Sequence, residues 1–241
     1  MNAIEIKNLS KKFHKEQIRG SFIKKITSGT AKSDKYFYAL KNINFELEKG
    51  KMLGIIGPNG SGKTTLLKTI SGIYAPTEGE LKVNGSINFF LMLGIGFQSE
   101  LTARENISLY GALLGLSNKF VAGKINEIIA FAGVEQFIDT KLKHYSAGMQ
   151  NRLAFSTAIQ AGSDILLLDE IFAVGDLEFQ NKCTVVLRRF KQEGRTIVLI
   201  SHSLETIEEF CDYSLYLDKG EQIDFGETKS VIQKYKDAVK K

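Results

Sequence analysis

Residues 57–64, Gly57-Pro58-Asn59-Gly60-Ser61-Gly62-Lys63-Thr64, fit the pattern GxxxxGK(S/T). An unbroken apolar run, Met52-Leu53-Gly54-Ile55-Ile56, precedes them, and Thr65-Leu66-Leu67-Lys68 opens a helix after them. In such a loop the glycines let backbone N–H groups turn inward around phosphate oxygens, and the following helix adds its positive end. Lys63 neutralises the β and γ oxygens, and Thr64 offers a hydroxyl to Mg²⁺. A phosphate loop of this kind needs a buried strand before it and a helix behind it, which commits the chain to an α/β fold.

The rest of the chain agrees. Ile165-Leu166-Leu167-Leu168 and Thr196-Ile197-Val198-Leu199-Ile200 are also unbroken, as central strands covered on both faces are. Between them Phe179, Cys183, Val186, Leu187 and Phe190 recur at helical spacing, with Asp176 as N-cap candidate and Gly194 as stop. That is a strand, helix, strand unit, with a right-handed crossover expected. Ile4-Glu5-Ile6 and Ile43-Asn44-Phe45-Glu46-Leu47 alternate apolar and polar, as half-buried antiparallel strands do. Residues 103–160 carry helix-period segments (Ile125, Ile128, Ile129, Ala132) with no strand signal, and read as a helical subdomain inserted in the core.

With 241 residues, 43% hydrophobic and 24% charged, the composition is that of a soluble globular protein and excludes collagen-like, coiled-coil and disordered chains. The apolar runs at 89–93 and 165–168 fall far short of the ~20 residues that cross a bilayer. No apolar leader stands in the first residues, and the isolated Cys183 and Cys211 suit neither a disulfide scaffold nor a CxxC metal knuckle, so a reducing cytoplasm is expected. The net charge of +5 is concentrated: residues 11–35 hold eight basic side chains against two acidic ones. Phe22, Ile23 and Ile26 beside Arg19, Lys24 and Lys25 make part of this segment amphipathic. It reads either as a solvated loop or as a segment at the cytoplasmic membrane face, where anionic lipid attracts basic residues.

Two further patterns carry chemistry. Asp169-Glu170 closes a central strand at its carboxyl end, where open α/β sheets bind ligands. Asp169 is placed to hold the Mg²⁺ shell, and Glu170, one residue on, to polarise an attacking water. Taken alone, the same pair is a strand ending in solvated acids. Tyr145-Ser146-Ala147-Gly148-Met149 precedes the helix Gln150-Asn151-Arg152-Leu153-Ala154-Phe155, which reads as a second anion site at a helix start or as an ordinary Ser146 N-cap.

The order phosphate loop, helical segment, small-residue helix start, LLLDE and then Ile200-Ser201-His202 resembles the ATP-binding subunit of ABC transporters over nearly the whole chain. The resemblance implies that residues 57–64, with Thr65, form the Walker A loop and Asp169-Glu170 the Walker B pair. It makes Tyr145, Ser146, Ala147, Gly148 and Met149 the signature usually written LSGGQ, which contacts the partner's ATP. Ala173-Val174-Gly175-Asp176 looks like the D-loop, and His202 like the switch histidine against the γ-phosphate. Gln98 is the candidate Q-loop residue, catalytic and a metal contact together with Thr64 and Asp169. An aromatic shortly after the first strand stacks on adenine in this family; Phe13 sits where it is expected, with Tyr36, Phe37 and Tyr38 as alternatives. Core packing is the plain reading of each of these rings.

Ala147 and Met149 depart from the signature and, with Phe97-Gln98-Ser-Glu-Leu-Thr102-x-Arg104-Glu105-Asn106, resemble the polysaccharide-export branch: O-antigen, capsule and teichoic-acid exporters. The implied fold is a P-loop NTPase (RecA-like) α/β core with an antiparallel β-subdomain and an inserted α-helical subdomain. One ABC ATPase domain would fill residues 1–241, with the core at about 1–98 and 160–241, the basic insertion at 14–37 and the helical subdomain at about 99–159. ATP and Mg²⁺ are the implied cofactors. The implied partners are a second copy in a head-to-tail homodimer, a membrane-spanning permease at the cytoplasmic face and, indirectly, a lipid-linked polysaccharide, with no nucleic acid. Few residues follow Gly226, so substrate choice is expected to lie with the membrane subunit. The rival readings are a soluble ABC ATPase acting on nucleic acid or ribosomes, and the ATPase of another transporter.

Overall fold

A computed structural model describes residues 1–14, 35–89, 94–169 and 176–239. Arg19, Lys24, Lys25, Glu170, Ala173, Val174 and Gly175 lie outside the described residues. The strands are β1 (Asn2–His14), β2 (Tyr36–Glu48), β3 (Met52–Ile56), β4 (Glu78–Val83), β5 (Ile87–Phe89), β6 (Ile165–Asp169), β7 (Thr196–Ile200), β8 (Tyr213–Asp218) and β9 (Glu221–Glu227). The helices are α1 (Lys63–Ile70), α2 (Ala103–Leu113), α3 (Asn118–Ala132), α4 (Ala147–Ala158), α5 (Leu177–Gln192), α6 (Leu204–Phe210) and α7 (Thr228–Val239).

Among the described residues the strands form one sheet in the order β4-β1-β2-β9-β8-β3-β7-β6-β5. The stretch β8-β3-β7-β6-β5 is parallel throughout. Period-two alternation explains why β3 and most of β6 and β7 are apolar on both faces. In β6, Ile165 and Leu167 face a core shared with Leu66, Leu67 and Ile70 of α1, while Leu166 and Leu168 face one shared with Phe179 and Phe190 of α5. Both faces are covered, so a polar residue there needs a hydrogen-bond partner. Asp176 caps α5 as expected, its carboxylate accepting from the Phe179 N–H at 2.9 Å, and Gly194 follows the helix end at φ 67°.

β1 and β2 pair antiparallel, with Ile4 opposite Leu47 and Ile6 opposite Phe45. Each strand runs for 13 residues, well beyond the short alternating stretches legible in the sequence. The reason is bulging: register shifts follow Ile6, Leu9 and Lys11, and Asn8 and Asn42 take left-handed φ of 51° and 52°. Each bulge moves the following side chains to the other face, which erases the period. β4 escapes a pattern reading because it is an edge strand with charged, largely exposed side chains. β8 escapes it because Ser214 is fully buried within it, satisfied by the Thr228 hydroxyl at 3.1 Å.

Helices α2, α3 and α4 share a separate core that includes Ile107, Val121, Ile128, Ile129 and Leu153. Their starts are chemically marked. Thr102 and Glu105 form a capping box on α2, and Ser117 and Ser146 cap α3 and α4. Among the described residues no helix is long and apolar enough to cross a membrane.

Candidate nucleotide site

Three parallel neighbours, β3, β7 and β6, bring three pieces of chain to one edge of the sheet. The glycine-rich loop leaves β3, Asp169 ends β6, and His202 stands two residues beyond Ile200, which pairs with Asp169.

The loop's shape depends on two glycines. Gly57 has φ 145°, and a Cβ there would lie 2.0 Å from the Leu217 carbonyl oxygen and 2.9 Å from Ser61 Oγ. Gly62, the N-cap of α1, has φ 106°, and a Cβ there would lie 2.6 Å from the Ala39 carbonyl oxygen. Either position excludes any other residue on conformation and on space. No side chain caps α1 and no acidic residue stands in its first turn, so its leading N–H groups and positive end are left to a ligand. Ser61 Oγ is buried and finds no hydrogen-bond partner among the described residues. The largely buried Lys63 folds back on the loop, its ammonium donating to the carbonyls of Gly57 at 2.7 Å and Pro58 at 2.9 Å.

A cavity of about 210 Å³ opens beside the loop, lined by Phe37, Ala39, Asn59, Gly60, Gly62, Lys63, Thr64 and Thr65. Cofactor pockets commonly enclose ~300–1,000 Å³. This cavity therefore fits part of a nucleotide and leaves the remainder to be covered from outside. Thr64 donates its hydroxyl to Asp169 Oδ2 at 2.9 Å across 105 positions of sequence. Two hard oxygen donors at one point suit Mg²⁺, which keeps several waters and takes its other ligands from phosphate. Among the described residues no cluster of three or more His, Cys, Asp or Glu could hold a metal ion.

Ser146 caps α4, its hydroxyl accepting from the Met149 N–H at 3.2 Å. Ser146 and Ala147 are exposed, and a Cβ on Gly148 would meet only Ser146 Oγ, at 3.8 Å. Among the described residues no contact requires glycine at 148. Tyr145 is different: it is buried in the helical core, its hydroxyl donates to the Phe137 carbonyl at 2.7 Å, and burial raises its pKa. It anchors the segment and leaves Ser146 to face out. Arg152 of α4 pairs with Asp176 at 3.2 Å, joining this helix to the start of α5. Among the described residues lining the cavity, none comes from 145–149.

The family model for ABC transporters matches residues 40–173, more than half of the chain. The chain belongs to the ABC transporter family. It is 42% identical over 99% of its length to the O-antigen export system ATP-binding protein RfbB of Myxococcus xanthus, of which it covers 56%. It is 39% identical over 97% of its length to the teichoic acids export ATP-binding protein TagH of Enterococcus faecalis, of which it covers 52%. The chain thus spans about half the length of these two relatives. A dimeric bacterial ABC transporter cassette superposes with a TM-score of 0.73 at 25% identity, over 93% of this chain and 98% of that one. The fold is that of these cassettes.

Neither Phe13 nor Gln98 is among the residues that line the cavity. The Phe13 ring packs edge-on against Tyr74 at 5.2 Å, under the Lys11 ammonium. The ring on the cavity wall is Phe37, which lies directly opposite Phe13 in the β1–β2 pairing and is 46% exposed. Strand order decides between them: β2 lies beside β9 and is tied to the phosphate loop, whereas β1 lies on the far side of β2, and strand order is not legible from spacing. Gln98 is exposed, with one long hydrogen bond from its side-chain amide to the Gly96 carbonyl at 3.4 Å. Two residues that organise the site had no role assigned to them from the sequence, although Asn106 stood in the Phe97–Asn106 pattern. Gly220 donates its N–H to the Ser61 carbonyl at 3.0 Å and accepts from Lys41 N–H at 2.8 Å, tying β2 to the phosphate loop. Asn106, fully buried, holds the backbone of Gln98.

Proposed function

We propose that the chain is the ATP-hydrolysing subunit of an exporter of lipid-linked polysaccharide, working as a single ATPase domain in a head-to-tail homodimer at the cytoplasmic membrane face. The observation that carries the ATPase reading is the Thr64–Asp169 contact beside an uncapped helix start, which joins a phosphate cradle to a cation site. ATP binds with its phosphates on the α1 N-terminus and Lys63 exchanges the Gly57 and Pro58 carbonyls for phosphate oxygens. Thr64 and Asp169 would hold Mg²⁺, which would neutralise charge developing on the phosphates. Glu170 accepts the proton of the attacking water, His202 contacts the γ-phosphate, and ADP and phosphate leave. Ser146 and the α4 N-terminus of the second chain cover the open side of the nucleotide, a reading supported by the small cavity and by a glycine at 148 that no contact among the described residues requires.

The membrane partner's place is supported by an apolar groove of about 380 Å³ between β5 and the end of α2. Ile95 and Leu113 line it and are 49% and 61% exposed. A cytoplasmic helix of a membrane-spanning subunit fits such a groove, and movement of α2–α4 on ATP closure would then be felt in the membrane. The export substrate is inferred from the likeness to O-antigen and teichoic-acid export proteins together with Ala147 and Met149 in the signature. The experiment is purification of the full chain from detergent-solubilised membranes. A co-purifying multi-helix membrane protein, and loss of surface glycan on deletion of the gene, support the proposal; RNA or DNA in its place overturns it.

The ring that meets adenine is testable separately. Stacking on a base is worth roughly 1–3 kcal/mol, so Phe37→Ala weakens ATP binding about tenfold. Phe13→Ala leaves affinity within about twofold and lowers thermal stability, because its ring packs on Tyr74. Nucleotide titration of both variants reads the difference, and the reverse ranking would return the role to Phe13.

A further inference from the structure

Asn106 sits on α2 with no exposed surface, among Ala103, Ile107 and Tyr110, which are buried on the same helix. A buried amide is retained only where its hydrogen bonds are met. Here all of them go to one loop. Its Oδ1 accepts from the Gln98 N–H at 2.7 Å, and its Nδ2 donates to the carbonyls of Gln98 at 3.0 Å, Thr102 at 2.9 Å and Leu101 at 3.2 Å. Both polar atoms of the Gln98 backbone are thus held by one side chain. The loop's other side is held as well: Ser99 and Leu101 carbonyls accept from the Lys143 and Leu142 N–H groups at 3.0 and 2.9 Å, and Glu100 pairs with Lys141 and Lys143 at 3.1 Å each.

The Gln98 side chain contrasts with its own backbone. It points into solvent on one long bond while its peptide is fixed from two sides. A fixed backbone under an available polar side chain is how a group is delivered to a reacting centre at low entropic cost.

We propose that Asn106 is the positioning residue of Gln98, setting where its side-chain amide meets the nucleotide's metal and water. This rests on the reading of Gln98 as the group that contacts them. Asn106 itself touches neither.

The test is a double-mutant cycle on ATP hydrolysis by the purified full chain. Gln98→Ala lowers kcat on the order of 10²-fold, the loss typical of one preorganised polar contact. Asn106→Ala lowers kcat at least tenfold, since small misplacements at a reacting centre have effects of that size, while KM for ATP stays within about twofold because the phosphate loop is untouched. In the Gln98→Ala background, Asn106→Ala adds less than about twofold, because residues acting through one another are not additive. Multiplying losses would show that Asn106 only supports the fold and overturn the proposal, as would an unchanged kcat in Asn106→Ala. An unchanged kcat in Gln98→Ala would overturn the reading beneath it, and the proposal with it. Asn106→Ala leaves the Gln98 N–H without its acceptor and takes one donor from each of three carbonyls, which keep the backbone donors Leu101, Leu142 and residue 106; if it does not fold, Asn106→Ser, which keeps one hydroxyl, is carried through the same cycle with the same three outcomes.

Discussion

Glu170→Gln stops ATP turnover and leaves ATP binding intact. Removing a general base typically lowers the chemical rate ~10²–10⁴-fold, and the amide keeps the size of the carboxylate it replaces. The nucleotide is held by other groups: the uncapped start of α1, Lys63, and the Thr64–Asp169 pair at 2.9 Å. Affinity is therefore expected to stay within about twofold of wild type, since general-base action is a transition-state contribution. The variant should accumulate an ATP-bound dimer that size-exclusion chromatography separates from monomer. Phosphate release near the wild-type rate would remove Glu170 from the role and leave the water to another group.

The site was legible where its chemistry is local. Residues 57–64 are contiguous, and their flanks, β3 and α1, are where a phosphate loop needs them. Asp169 was legible at long range because a strand's carboxyl end is a fixed address in a parallel sheet: β3, β7 and β6 all finish on one edge, so Thr64 meets Asp169 although 105 positions separate them. Contacts that depend on strand order or on tertiary burial were not legible. Phe13 and Phe37 are equally aromatic and lie opposite each other, and Phe37 is on the cavity wall because its strand, β2, is the one beside β9 and the phosphate loop. Asn106 reads as an ordinary polar residue in an amphipathic helix until the fold shows that its face is buried. A signal was present, since it falls among Ala103, Ile107 and Tyr110 at helical spacing, one residue beyond a capping-box glutamate. A polar residue on an apolar stripe asks for a partner, and its partner was a loop. The same limit applies to the sheet: β8 and β9 were missed because buried Ser214 interrupts the apolar run and β9 alternates between exposed and partly covered positions.

Lys63→Ala and Ser146→Arg, each in its own homodimer, trap no ATP, yet a mixed dimer of the two traps one. Lys63 stands on the wall of the cavity beside the loop, and its loss would remove a cation that neutralises the β and γ oxygens of bound ATP. Ser146 stands exposed at the start of α4, and a large cation at that point blocks approach of the helix end to phosphate. If each nucleotide is held by Lys63 of one chain and Ser146 of the other, the mixed dimer keeps one site with both residues intact and concentrates both defects in the other. Placing both substitutions in one chain opposite a wild-type partner gives the reverse: each site then carries one defect, and none traps. A site built within one chain gives the opposite results, no trapping in the first mixed dimer and one nucleotide in the second. The measurement is radiolabelled ATP retained per dimer after gel filtration, in the Glu170→Gln background so that hydrolysis does not empty the sites. With distinct affinity tags selecting the mixed species, the counts of one and none decide whether the cavity beside residues 57–65, too small to enclose a nucleotide alone, is completed by the second chain.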